Sequence, residues 1–365
     1  MKGKKGVFLM KRLVLAIISC LFIFNIVSCD VIKSKDPTNL FNIEDAKSLA
    51  GDYMKSLSKG DIELANGYSS DKFILESEAK KLTNNKILSF KVDEVIEGSN
   101  FAYIKYLVVR SRDDSIRTSL DNIELKVVKD GDKYTVSDVN TKGLKEIYEE
   151  GTNLRVINEE TGKSNLFLRK KDLPQEVYPK SRDQAILSKE SVPNMNFKKV
   201  NIGFKGVSVA IAIQNESDIF IAMAQIDESD DLSSSKENDE EYIAIGENLD
   251  NALEKPMAKN IAGYDLLKNV QIQKLLFTDD DNNLIVQLTN GEGVSFIRIY
   301  KNPTGELLTL DLEKVFPKDK YSLEVDKITS EGLYIRSKSI SDVNESEGVF
   351  VVDCKNLKIT KDKES

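Results

Sequence analysis

The chemistry open to this 365-residue chain is bounded by the residue types that it lacks. It has three cysteines, Cys20, Cys29 and Cys354, and neither His nor Trp. Without imidazole there is no Ser-His-Asp triad, no histidine general base and no histidine metal ligand. Catalysis would have to run on Asp, Glu, Tyr, Lys or Ser. The cysteine whose surroundings favour chemistry is Cys29, in "FIFNIVSCDVIKSKD" (22–36), where an apolar run ends on Ser-Cys-Asp and turns polar at once.

The residues before Cys29 read as an export signal. Lys2, Lys4, Lys5, Lys11 and Arg12 form a basic segment without an acid, and the apolar run Leu13–Ser28 follows, broken only by Asn25. That order of charge, apolar core and small residue is what secretion uses, and the run is short for a transmembrane helix of about 20 residues. Ile26-Val27-Ser28-Cys29 resembles the lipobox of bacterial lipoproteins. The resemblance implies that the Cys29 thiol takes a diacylglycerol and becomes the first mature residue. Ile17-Ile18-Ser19-Cys20 fits the same four-residue pattern, but Leu13–Ile18 is too short an apolar core before it. Lipidation would leave Cys354 as the one free thiol, so no internal disulfide is expected.

Loss of residues 1–28 removes five basic residues and no acid. The balance moves from 52 Lys+Arg against 60 Asp+Glu to 47 against 60, or from −8 to −13. An acidic surface argues against nucleic acid and against a polybasic grip on anionic lipid. The expected partners are therefore the membrane, through the anchor on Cys29, and a cell-envelope protein. No cofactor, metal site or catalytic residue is expected.

Three motifs tempt and fail. Thr161-Gly162-Lys163-Ser164 echoes a phosphate-binding loop, but position 157 is Ile where the motif needs Gly. "TDDDNNL" (278–284) spaces Asp279, Asp281 and Asn283 like a calcium loop. Its sixth and twelfth positions are Leu284 and Asn290 rather than Gly and Glu, so a β-turn is the better reading. The segment 227–241 carries eight acids against Lys236 and reads as a solvated loop, with a calcium site as the sharper alternative.

The elements that would position any site begin after a polar tether, 29–41. Asn42 reads as a helix N-cap, and Ile43, Ala46, Leu49, Ala50, Tyr53, Met54 and Leu57 recur at helical spacing until Gly60. A shorter helix starts at Asp61, and a third is expected over 72–82. The period then changes to two. Strands are expected at 87–98, 101–112, 116–129 and 133–139, with a hairpin at Asp130-Gly131. Helices followed by an antiparallel meander make an α+β plan. The "AKSLAGDYMKSLSKGDIELA" helix pair and the sheet ending in "LKVVKDGDKYTVSDV" resemble the nuclear transport factor 2-like fold. That resemblance implies a curved sheet around the first helix and a cone-like pocket, in which Tyr103, Tyr106, Asp93 and Glu94 are the groups on offer, or packing residues.

Beyond it, 141–199 reads as a lead-in, with a short helix in "GLKEIYEEG" and three prolines, Pro174, Pro179 and Pro193. Residues 200–365 are strand-rich. "VQIQKLLF", "NLIVQLTN", "VSFIRIYK" and "ELLTLDL" align in order with "YSLEVDKI", "GLYIRSKS", "GVFVVDC" and "NLKIT", and four strands per repeat is the signature of a propeller blade. "KDLPQEVYP" followed by "VNIGFKGVSVAIAIQN" resembles the approach to propeller domains of exported lipoproteins. About three blades can be counted, so a sandwich is the rival.

The expected plan is thus a signal peptide 1–28, a tether 29–41, a nuclear transport factor 2-like α+β domain 42–140, a lead-in 141–199 and a propeller-like or sandwich β domain 200–365 that includes the acidic loop 227–241. The expected role is a lipid-anchored, extracytoplasmic, non-catalytic binding or scaffolding module. The alternatives are an enzyme using a carboxylate and tyrosine pocket in the cone, or a transport-associated solute-binding protein.

Overall fold

A computed structural model describes residues 40–71, 85–180, 188–227, 254–308, 312–341 and 346–362. Cys29, the signal, the expected third helix and all but Asp227 of the acidic loop lie outside them.

Two helices open the described chain, α1 (Ile43–Lys59) and α2 (Ile62–Gly67). Asn42 Oδ1 accepts the Glu44 amide at 2.9 Å, and Gly60 ends α1 at φ 74°, a left-handed cap that glycine adopts without strain. The periodic face of α1 is the one that packs. Ala46, Ala50, Tyr53 and Met54 are buried, with Ile43, Leu49 and Leu57 partly buried beside them.

Six strands follow as an antiparallel meander: β1 (Asn85–Glu97), β2 (Phe101–Arg112), β3 (Arg117–Asp130), β4 (Lys133–Glu150), β5 (Asn153–Asn158) and β6 (Lys163–Arg169). A two-residue ribbon, β7 (Glu176–Val177) with β8 (Glu190–Ser191), leads to three more sheets. The second sheet joins β9 (Asn196–Ile202), β10 (Ser208–Gln214), β11 (Asp218–Ile226) and β12 (Ala258–Lys268). The third joins β13 (Val270–Phe277), β14 (Asn283–Asn290) and β15 (Ser295–Lys301). After a one-turn helix, α3 (Leu312–Val315), the fourth joins β16 (Tyr321–Thr329), β17 (Gly332–Ser339), β18 (Gly348–Asp353) and β19 (Lys358–Lys361). All are antiparallel and pair in chain order, as blades do.

The four sheets follow one another around a ring. The first and second share a core of Leu120, Ile147, Val156, Phe167, Ile202, Ile211 and Phe220. The second and third share one containing Ile221, Tyr264, Phe277, Leu284 and Tyr300. The third and fourth bury Ile285, Ile299, Phe316, Leu323 and Ile335 together. Leu88 of β1 packs on that last core, and β1 runs beside β16, so the fourth sheet returns to the first.

This corrects the expected α+β class. The described residues are nearly all β, and a cone-like domain followed by a separate β domain is not what forms. The first sheet has six strands rather than four, and the second sheet covers the half that α1 leaves open. "GLKEIYEE" is not a helix but the second half of β4. Leu144, Ile147 and Tyr148 carry helical spacing, yet pairing of Thr118 with Ile147 and of Ile147 with Val156 overrides it. The boundary drawn at 140/141 falls inside β4, and the one at 199/200 inside β9. In "ELLTLDL" the described residues give a bridge from Leu307 to Tyr300 and, at Leu312, the start of α3.

Candidate functional site

The seam between the first and second sheets opens into a cleft of about 520 Å³. Its floor is apolar, with Leu120 from β3, Leu144 from β4, Val156 from β5, Ile226 from β11, and Met257. Phe204 closes one side. Lys145, Lys205, Asn158, Asn165 and Glu160 supply the polar rim. An apolar floor with a few placed polar groups is the ordinary make-up of a binding site.

The wall at 203–206 is fixed from two directions. The Asp281 carboxylate accepts the Phe204 amide at 2.8 Å and the Lys205 amide at 2.7 Å. Lys145 Nζ donates to the Gly206 carbonyl at 2.8 Å. The Gly206 amide closes a turn onto Gly203 O at 2.9 Å with φ 68°, where a side chain would be strained. Gly203 is needed for space, since a Cβ there would meet Asp281 Oδ2 at 2.7 Å.

The turn that carries Asp281 joins β13 to β14 and gathers lysines from the other three sheets. Lys91 of β1 donates to Asp279 O at 2.7 Å and lies 5.2 Å above the Phe204 ring. Lys205 donates to Asp280 O at 2.6 Å, and Lys355 Nζ sits 3.5 Å from Asp280 Oδ2. Asp281 is 3% exposed, and burial pushes its carboxyl up, opposed by the two amides and by Lys205 and Lys91. The calcium-like spacing of "TDDDNNL" is therefore a turn whose acids hold the protein to itself.

A smaller cavity of about 290 Å³ lies on the first sheet and is lined by charge. Arg110 Nε is 3.3 Å from Asp121 Oδ2, and Arg117 Nη1 is 2.8 Å from Glu146 Oε1. Burial raises both carboxyls, and the neighbouring Glu159 adds to the effect. A third polar cluster lies within the ring. Asp265, 0% exposed, takes Arg298 Nη1 at 2.8 Å and the Tyr300 hydroxyl at 2.7 Å, and its other oxygen takes the Lys180 amide at 2.8 Å. That pins the lead-in to the second and third sheets. Among the described residues no group of three or more Asp, Glu or Cys is placed to hold a metal.

The groups suggested for a cone pocket are not brought together. Tyr106 is buried on the inner face of β2, its hydroxyl pushed up by burial and by Asp52. Tyr103 lies on the opposite face, 5.4 Å from Phe101. Glu94 pairs with Lys105 at 2.6 Å on that outer face, and Asp93 is exposed. Tyr53 is buried under α1, with its hydroxyl pushed up to about 12 by burial. Burial also pushes the Cys354 thiol to about 12, ahead of the charges of Asp353 and Asp280. Sequence reasoning missed the cleft, because its lining spans residues 120 to 257 and no local pattern joins them.

No known protein family matches the chain, and no curated protein matches it. Solved structures give distant likenesses. The β-propeller domain of Cps50 (Swd1) from Myceliophteria thermophila is 8% identical, with a TM-score of 0.29, covering 70% of this chain and 80% of that one. TolB from Acinetobacter baumannii is 8% identical at a TM-score of 0.24, covering 76% and 71%. Kluyveromyces lactis Hsv2p is 10% identical at 0.22, covering 71% and 96%. At such scores the blade-like arrangement rests on the strand pairing of this chain itself.

Proposed function

We propose that this chain is a lipoprotein held to the extracytoplasmic face of a membrane by diacylglycerol on Cys29, and that it works as a non-catalytic binding module for a cell-envelope protein. The cleft between the first two sheets carries the binding reading. It joins an apolar floor to a polar rim, and the bonds from Asp281 and Lys145 hold one wall in place before any partner arrives. The anchor rests on the Ile26–Cys29 pattern and the export signal before it. Burial of acyl chain contributes about 0.8 kcal/mol per CH₂, so two chains give stable retention without help from an acidic surface.

Two measurements test the two halves. Cys29→Ala should leave a heavier precursor that takes up no labelled fatty acid; wild-type protein with an unmodified Cys29 would end the lipoprotein reading. Asn165→Arg, at the cleft rim, should abolish capture of the protein partner from solubilised membranes, while Asn356→Arg on the fourth sheet should not. Equal capture by both would take the cleft out of the reading.

A further inference from the structure

We propose that one end of the first sheet, carrying Leu40, Ile96, Phe101 and Tyr103, lies against the lipid surface that holds Cys29. The inference rests on the lipid-anchor reading and adds to it an orientation and a contact surface.

The point where the chain enters the fold sets the geometry. Lys129 Nζ donates to the Leu40 carbonyl at 2.8 Å, the Phe41 ring meets Tyr134 edge-on at 5.4 Å, and the Asn42 amide donates to the Tyr134 hydroxyl at 2.6 Å. The tether therefore joins the body at the β3–β4 hairpin. Leu40 lies eleven residues after Cys29, a reach of about 40 Å at full extension. The β1–β2 hairpin stands beside this point, since the Lys129 amide donates to Asn100 O at 3.2 Å. That end of the first sheet is where the chain coming from the anchor enters the described fold.

That end exposes side chains suited to a lipid–water boundary. Leu40 is 64% exposed and Ile96 43%. Ile96 pairs across β1 and β2 with Tyr103, and Tyr103 pairs with Lys126 of β3. Phe101 stands edge-on to Tyr103, and Lys126 Nζ lies 5.4 Å and 5.7 Å from the two ring centres. Aromatic rings beside exposed aliphatic side chains favour the headgroup region. Glu97, Asp130 and Asp132 offset Lys126, Lys129 and Lys133 here, so the contact is apolar and aromatic rather than polybasic.

The test uses the full-length lipidated protein in phosphatidylethanolamine–phosphatidylglycerol vesicles containing nitroxide-labelled phosphatidylcholine. In a Cys354→Ser background, a fluorophore is placed at Ile96→Cys or, on β19 at the edge of the fourth sheet, at Lys358→Cys. Mass spectrometry of the N-terminal peptide reads the state of Cys29 in each sample. Quenching several-fold stronger at 96 than at 358, with Cys29 diacylated, supports the proposal. Equal quenching at the two positions with Cys29 diacylated overturns the orientation and leaves the anchor standing. An unmodified Cys29 overturns both.

Discussion

Asp281→Ala should be among the most damaging single changes in the described chain. Its carboxylate accepts two backbone amides of the cleft wall, at 2.8 Å and 2.7 Å, from a residue 3% exposed. Hydrogen bonds to a charged group contribute about 1.5–3 kcal/mol each, and a buried donor left alone costs its desolvation. Phe204 is buried, so its amide would bear the full loss, whereas water reaches Lys205. Asp281 also has φ 59°, a left-handed conformation that Asp and Asn tolerate and Ala does not, at about 1–2 kcal/mol. Part of the hydrogen-bond gain is offset by the cost of burying the carboxylate. Together these give about 3–4 kcal/mol, against a total of about 5–15 for a typical fold. Asp281→Asn keeps the backbone preference and one acceptor, and should fall near half that loss. Asp279 contributes its carbonyl to Lys91, so Asp279→Asn should stay within about 0.5 kcal/mol of wild type. With no Trp, the assay is urea unfolding followed by circular dichroism, and calcium should not move the midpoint. Equal midpoints for Asp281→Ala and Asp279→Asn would refute the argument, and a calcium-dependent rise would restore the metal reading.

Two further outcomes are expected. Met54→Ala should cost about 2–5 kcal/mol as a truncation in the core under α1, whereas Lys47→Ala on its solvated side should change little, and thermal melts of the pair would expose a misassigned face if they shifted alike. The carboxyls of Asp121 and Glu146 are raised by burial, so their protonated forms suit the fold better. Their contribution is fully present below the ordinary carboxylate range and is lost as pH rises through the raised values. The double change Asp121→Asn with Glu146→Gln should therefore flatten the fall in stability as pH rises above the ordinary carboxylate range, and an unchanged slope in urea titrations there would show that other groups set it.

The local signals in the sequence were strong where one element decides its own structure. The spacing from Ile43 to Leu57, the Asn42 cap and the Gly60 stop gave α1, and period-two alternation gave β1 to β3 nearly to their ends. They failed where a partner decides. Residues 143–150 carry helical spacing and form a strand because β3 and β5 flank them. The strand β12 escaped notice because Asn260 at positive φ, Gly263 and two register shifts interrupt its alternation. Asp121 is buried although it pairs in regular register with Val108 of β2; the extra residue at the neighbouring irregularity is Leu144 of β4, which a regular alternation does not anticipate.

The cleft and the ring were the least legible, and for one reason. Each depends on residues far apart in sequence whose types are locally ordinary. Lys91, Lys205 and Lys355 look like solvated charges, yet all three reach the turn at 279–280, one from each of the other sheets. Hydrophobic contact between β1 and β16 brings the ends of the ring together without specifying their angle, because burial of apolar surface is non-directional. The turn adds direction. Its carbonyls and carboxylates accept donors at fixed distances from all three neighbours, and Asp281 places the cleft wall at the same time. Stability of the ring and shape of the cleft are therefore set by the same few acids, which the calcium-like spacing of the turn does not reveal.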